Sequence, residues 1–478
     1  MSAVRDAPVT PVGEPSRFVR ALGPRDVVLM TVTATVGLQF MARGARAGSP
    51  GILLWLAAAV MFLVPHILCV SELSGRVAEQ GGVYAWVRRA FGPVHGFIAG
   101  WCLWSNNVFF LPAVLLFAAP SLLAVLGPDY ARLAEDRVFS AAFVLIALWA
   151  CIGANIVGLG VARWLPNIGS IGVWGVAGIL MSLGLYAAMT GRAATSFDLL
   201  APWPNRLDTL SLWAGMCFAF SGYEAAATVR EEVRDPTRTM PRGLLIAGAC
   251  AFAVYLGGST SILVALPAET LSERSTIAEA AELMGGRLNI HGLGAAMSAL
   301  VVLATIALTA SWVSCSSRVP FAAAEDCALP RALSHLHPRY RTPHIALLIQ
   351  GAIASVLFLA VLFLSFGGGT TTVHDAYDIL VNLTILICFV PYLYAFPALA
   401  RLRRLEPGPK DGFRVPGGQL GLGLTVAAGL TATAVSMALV FVPPPGTANV
   451  WNYEANVIVQ TTLILGAGLA LFRWSKTR

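Results

Sequence analysis

The sequence predicts an all-α integral membrane protein with about twelve transmembrane helices. Ten of them form two inverted sets of five, with the first helix of each set broken, and two more follow at the C-terminal end. Three observations predict this. The 478-residue chain is 57% hydrophobic and only 12% charged, with a mean hydropathy of +0.72, whereas a soluble domain carries about 25% charged residues. Two of its apolar stretches are interrupted, at Val36-Gly37-Leu38-Gln39 and at Phe220-Ser221-Gly222-Tyr223, the second running into Glu224. Hydrocarbon cannot solvate free amides or carbonyls, so such a break survives only against protein or a water-filled cavity. Breaks at matching places in two halves of a polytopic chain point to a transporter's binding site. Third, the arginines fall almost entirely on one side.

A bilayer crossing needs about 20 apolar residues. Stretches of that kind occupy 27–49, which carries the first break, then 51–73, 94–120, 138–159 and 165–190. The second set comprises 209–229, which carries the second break, then 243–266, 291–317, 344–366 and 376–399. These ten form a transport core over 27–399, and the additional helices, 419–442 and 455–473, lie outside the repeat. Residues 1–26 are polar and Pro-rich, with Arg17, Arg20 and Arg25 and no cleavable signal. They read as a cytoplasmic tail, 400–418 as a cytoplasmic loop and 474–478 as a cytoplasmic C-terminus.

Lys and Arg mark the cytoplasmic side. With the N-terminus inside, cytoplasmic segments hold 24 of them and the opposite segments six, Arg43 and Arg46 remaining within or just after the first span. The expected location is therefore the inner (plasma) membrane, multi-pass, with both termini cytoplasmic. The net charge of +7 belongs to loops facing anionic lipid rather than to a nucleic-acid groove.

The eight cysteines are scattered singly and no CxxC or HExxH occurs. Neither a disulfide framework nor a metal or cofactor site is expected. No paired intramembrane Asp or His/Glu cluster suggests a membrane enzyme, and a channel would call for rings of like residues. A sensor that binds without transporting usually adds a soluble output domain, and no loop here is long enough for one.

Three segments carry a family resemblance. Ser71–Pro93, SELSGRVAEQGGVYAWVRRAFGP, resembles the second-to-third-helix signature of the amino acid–polyamine–organocation (APC) permeases. Phe218–Pro241 is similar to their sixth helix and the charged loop after it, and Ala310–Pro330, ASWVSCSSRVPFAAAEDCALP, to their eighth helix and exit loop. Within the superfamily the chain most resembles the bacterial glutamate/γ-aminobutyrate antiporters, through GGVYAWV, ASWV, FRVPGG at 413–418 and FVPPP at 441–445. The resemblance implies a LeuT-like fold and a secondary transporter that moves amino acids or closely related amines by alternating access, as an exchanger or a proton-coupled permease. An amino acid sensor and a polyamine or organocation permease are the alternatives. Those antiporters carry a long C-terminal plug, but about five residues follow the last span here, so a plug mechanism is not expected.

Site residues follow from the same resemblance. The family holds a substrate carboxylate on backbone amides of the first break, here Val36, Gly37, Leu38 and Gln39, where free N–H groups and the positive end of a half-helix favour an anion. Many members have several glycines there and this chain has one, which could equally serve close helix packing. Phe220, Ser221 and Gly222 match the carbonyls that receive the substrate ammonium, and Tyr223 follows as a further substrate-site candidate. Glu224 matches a proton-responsive glutamate of related antiporters, or else locks a neighbouring helix by a hydrogen bond. Trp312 matches a substrate-stacking and gating tryptophan, with an interfacial anchor as the plain alternative. Asn106, with Ser105 and Asn107, either reaches a substrate side chain or bonds across helices. Tyr84 is a candidate for the cytoplasmic gate. Arg43 could attract an acidic side chain, and Arg46 more simply snorkels to the outer interface. Gly172-Val173 stands where some members carry a lysine that replaces sodium, so exchange or proton linkage through Glu224 is favoured over sodium symport. The expected partners are an amino acid substrate, lipid and protons, and no nucleic acid.

Overall fold

The computed structural model describes residues 22–77, 79, 81–158, 164–195, 207–228, 230, 233–267, 277–290, 292–364, 372–406, 412–442 and 450–476. Most of the N-terminal tail, Arg163, part of the 400–418 loop, most of FVPPP and the last two residues lie outside the described residues. Every long element is a helix, and the only β contact among the described residues is an isolated bridge between Leu22 and Val233.

Span 1 consists of Pro24–Thr35 and Gln39–Arg46, bent by 56° at the break. Span 2 is Pro50–Arg76, span 3 Pro93–Leu126, span 4 Arg137–Val157 and span 5 Trp164–Met189. Span 6 is Leu207–Ala219 and Glu224–Thr228, separated by the second break. Span 7 is Pro236–Ala265, span 8 Leu293–Glu325, span 9 His344–Phe363 and span 10 Val373–Leu405. Spans 11 and 12 are Gly418–Leu439 and Val450–Lys476. Among the described residues, ten helices are long and apolar enough to cross a membrane, or eleven if the bent pair is one span. Span 6 is the twelfth of the expected set, and neither of its two pieces is long enough alone.

Local chemistry sets the boundaries. Pro24, Pro50, Pro93 and Pro236 each open a helix, where the missing N–H costs nothing. Gly92, Gly127 and Gly158 end helices with positive φ. Span 3 runs to Leu126 rather than 120, and span 8 to Glu325 rather than 317. Hydropathy marks where hydrocarbon ends, whereas a helix continues as long as its own backbone bonds do. Prolines inside spans 3, 8 and 10 are accommodated in the same bundle. An additional helix, Ile277–Leu288, lies between spans 7 and 8 and buries Ile277, Ala281, Met284 and Leu288.

The two broken spans lie against each other crosswise. Pro24–Thr35 packs on Glu224–Thr228, and Gln39–Arg46 on Leu207–Ala219. Spans 5, 7 and 8 pack on Pro24–Thr35, span 7 also on Gln39–Arg46, and spans 2 and 11 on Leu207–Ala219. Span 10 is 82% buried over its apolar window, whereas span 12 is 11% buried and forms the periphery. Span 5 approaches span 8 closely at Gly172, where an added Cβ would lie 2.7 Å from the Leu300 carbonyl oxygen. A lysine at that position would have to part the two helices.

Candidate substrate and proton site

At the first break Val36 leaves the helix with φ −82° and ψ 94°. Its amide still bonds Val32 O, and Phe40 and Met41 donate to Gly37 O and Leu38 O. The amides of Leu38 and Gln39 bond no described group, so the free donors sit at the start of Gln39–Arg46. Gly37 N–H is engaged: it donates to Thr35 O at 3.1 Å and to the Tyr255 hydroxyl at 2.8 Å. The Gln39 amide group folds back over Gly37, where an added Cβ would meet it at 2.9 Å.

The second break runs through Gly222, whose φ of +101° favours glycine. An added Cβ there would stand 2.9 Å from Trp312 Cζ2. Trp312 in turn donates its indole N–H to Ala34 O, on the last turn before the first break, at 2.6 Å. One buried indole therefore touches both breaks. Phe110 of span 3 packs on Trp312 and Phe218 with ring centroids 6.4 and 5.9 Å apart. Asn106 lies one turn along the same face of span 3; it is buried and its Oδ1 has no hydrogen-bond partner among the described residues. Asn107 donates its Nδ2 to Leu103 O within its own helix, and its Oδ1 too has no hydrogen-bond partner among the described residues.

Tyr255 of span 7 stitches the breaks from the other side. Its hydroxyl accepts from Gly37 N and lies 3.0 Å from Thr35 O and 3.3 Å from Ala219 O. A phenol has one proton to give, so it serves one of those two carbonyls at a time. Sequence reading missed this residue; its one signal is a tyrosine in the middle of an apolar span.

Glu224 is fully buried and well partnered. Tyr392 of span 10 donates to its Oε1 at 2.8 Å, and Gly222 N–H to its Oε2 at 3.2 Å. His66 Nε2 stands 3.2 Å from the same Oε2, within ion-pair distance but out of line for a well-formed hydrogen bond. A π turn at Ala59–Leu63 precedes His66 in span 2, and the rings of Phe62, Tyr223 and Tyr392 enclose the imidazole at 5.3, 5.7 and 4.7 Å. The Tyr223 hydroxyl lies beside Thr35 without a well-formed hydrogen bond. Ser221 Oγ is 3.8 Å from Cys388 Sγ.

Tyr84 lies elsewhere. It sits on the short helix Val83–Phe91 and donates to Asp326 Oδ2 at 2.7 Å, at the far end of span 8 from the breaks. Trp312 and Asp326 are about 20 Å apart along the helix at 1.5 Å per residue. Arg88 pairs with the same carboxylate. Burial, with the Asp326 carboxylate beside it, pushes the Tyr84 phenol above its ordinary range. At this arginine-rich end Glu72, fully buried, takes Arg76 at 2.8 Å and the amide of Val415, in FRVPGG, at 2.7 Å. Arg318 donates to Thr228 O at 3.0 Å. The signature segments thus meet one another at one end of the bundle.

Residues 22–467 match the sequence profile of a family described as amino acid permease. The chain belongs to that family. It is an APC-superfamily permease, a secondary transporter and not an enzyme. The permease is 27% identical to an uncharacterized transporter of Legionella pneumophila over 89% of its own length and 90% of the relative's. It is 23% identical to a probable agmatine/putrescine antiporter of Lactococcus lactis, covering 84% and 83%. Against a glutamate/γ-aminobutyrate antiporter of the same species it is 24% identical, covering 86% and 82%. Those two identities do not separate an acidic from a polyamine branch for the permease.

Proposed function

We propose that this permease exchanges amino acids across the cytoplasmic membrane, holding the substrate at the bilayer midplane between the two breaks, with both termini inside. The observation that carries the reading is Trp312, which bonds Ala34 O on the turn before the first break and lies with its ring edge against Gly222 of the second. The free amides of Leu38 and Gln39 suit a carboxylate. The carbonyls of Phe220 and Ser221 suit an ammonium, Trp312 walls the occluded state, and Asn106 with its unpaired Oδ1 reads the side chain. Tyr84, clasped to Asp326, is the inner gate.

Arg43 favours an amino acid over a polyamine. Its guanidinium lies against Gly215, where an added Cβ would be 3.1 Å from Nη1. It stands one turn past the first break, and a fixed cation there repels a diamine and attracts an acidic group. Counterflow in proteoliposomes tests the proposal with labelled L-glutamate, γ-aminobutyrate, L-serine and putrescine. Accumulation of an amino acid, with putrescine excluded, is expected. Putrescine exchange without amino acid exchange would replace it with a polyamine permease, and binding without flux would make the protein a sensor.

A further inference from the structure

Each ring nitrogen of His66 has an oxygen close by, Nδ1 at hydrogen-bond distance and Nε2 at ion-pair distance. Nδ1 lies 3.4 Å from Phe220 O and Nε2 lies 3.2 Å from Glu224 Oε2. A neutral imidazole has one N–H and one lone pair, so with an ionised Glu224 one of these contacts would set a lone pair against an acceptor in a buried site. One proton more than a neutral ring and a carboxylate hold removes that repulsion. That proton sits on the ring as an imidazolium, or on Glu224 with Nε2 accepting. Tyr392 Oη and Gly222 N–H also donate to the carboxylate.

Phe220 O belongs to the second break. From the reading of that break as an ammonium site, we infer that His66 and Glu224 hold a single exchangeable proton that is released when a substrate ammonium takes the Phe220 carbonyl. The N–H bond at Nδ1 breaks, its electron pair stays on the ring, and the proton passes to water that enters with the substrate. The ring keeps Nε2–H toward Glu224, and the ammonium donates to Phe220 O in place of Nδ1. Two cations on one carbonyl in a low-dielectric interior repel, so the proton and the ammonium exclude each other. His66 is thus a positioning residue that couples proton and substrate without touching the substrate. The other titratable groups facing the pair are the Tyr392 phenol and Cys388 thiol from span 10 and the Tyr223 phenol of the break. From span 8, the Cys315 thiol points at Ala225 O.

Calorimetry of the purified full chain with L-glutamate, γ-aminobutyrate, L-serine and putrescine, in two buffers of different ionisation enthalpy, counts the protons released per substrate bound. One proton is expected from the wild type, with affinity rising as pH rises because binding favours the deprotonated pair. His66→Gln and Glu224→Gln should release none and bind with a flat pH dependence. Wild-type binding without release, or release that persists in His66→Gln, would overturn the inference. If none of the four compounds binds, the substrate reading fails. The proton is then read by pH-jump infrared difference spectra of the wild type, which need no variant to fold. Imidazole and carboxyl bands that change together support the shared store, and their absence removes it.

Discussion

The Tyr255 hydroxyl sits 2.8 Å from the Gly37 amide and 3.3 Å from Ala219 O, so a single side chain of span 7 is within hydrogen-bond reach of both interrupted helices. Tyr255→Phe keeps the ring, which stacks on Trp55 with centroids 4.9 Å apart, and removes the link. Leaving buried partners unsatisfied costs about 1–3 kcal/mol. The expected outcome is a well-folded protein whose exchange KM rises roughly tenfold, about 1.4 kcal/mol. Unchanged KM and melting temperature would show the link to be idle.

Gly222 and Gly37 should respond differently to a methyl group. Gly222→Ala forces φ of +101° on an L side chain and drives Cβ against the Trp312 ring. Strain of about 1–3 kcal/mol is expected there, with transport lost. Gly37→Ala meets mainly the movable end of Gln39 and should keep substantial activity, whereas Gly37→Val crowds the neighbouring amides and should abolish binding in a folded protein. Equal loss in Gly37→Ala and Gly222→Ala would contradict this ranking. Binding and size-exclusion profiles of the three variants decide it.

Trp312→Ala removes both the indole bond to Ala34 O and the wall against Gly222. A large rise in KM is expected, with Trp312→Phe milder because an aromatic face persists. Both variants are compared at matched expression, and near-wild-type kinetics in the two would return Trp312 to a purely structural role.

The Tyr84 clasp should be insensitive to physiological pH. Its phenol titrates above the ordinary value of about 10. The clasp's contribution is therefore complete below that value and is lost only as pH rises through the raised one. Tyr84→Phe should change the transport rate by loosening the inner gate and leave the shape of the pH profile between about pH 5 and 8 untouched. A shifted profile would assign Tyr84 a titrating role.

Glu72 should matter for folding rather than for substrate. Its carboxylate is buried with Arg76 and the Val415 amide, and removing one partner of such a pair costs about 3–5 kcal/mol. Glu72→Ala should lower the melting temperature and the yield, while any folded fraction keeps wild-type KM. A wild-type melting temperature would show the pair to be dispensable.

The sequence by itself determined the helices, both breaks and the family. Each of these is a local property: hydrocarbon demands a long apolar run, and a glycine joined by polar residues such as Gln39 or Ser221 and Glu224 stands out against it. Val36–Gln39 and Phe220–Tyr223 were legible for that reason, and so was Glu224 as an intramembrane acid. Only the tertiary structure decided what those groups touch. Tyr255, Tyr392 and His66 are single polar residues in apolar spans, and each gains its meaning from a partner more than 150 residues away in the chain. The signature segments run from the breaks, where they supply Gly222, Glu224 and Trp312, to the arginine-rich end, where Glu72 meets Val415 and Tyr84 meets Asp326. Helix packing chooses such partners, because a buried polar atom must find its hydrogen bond wherever the bundle brings one within reach.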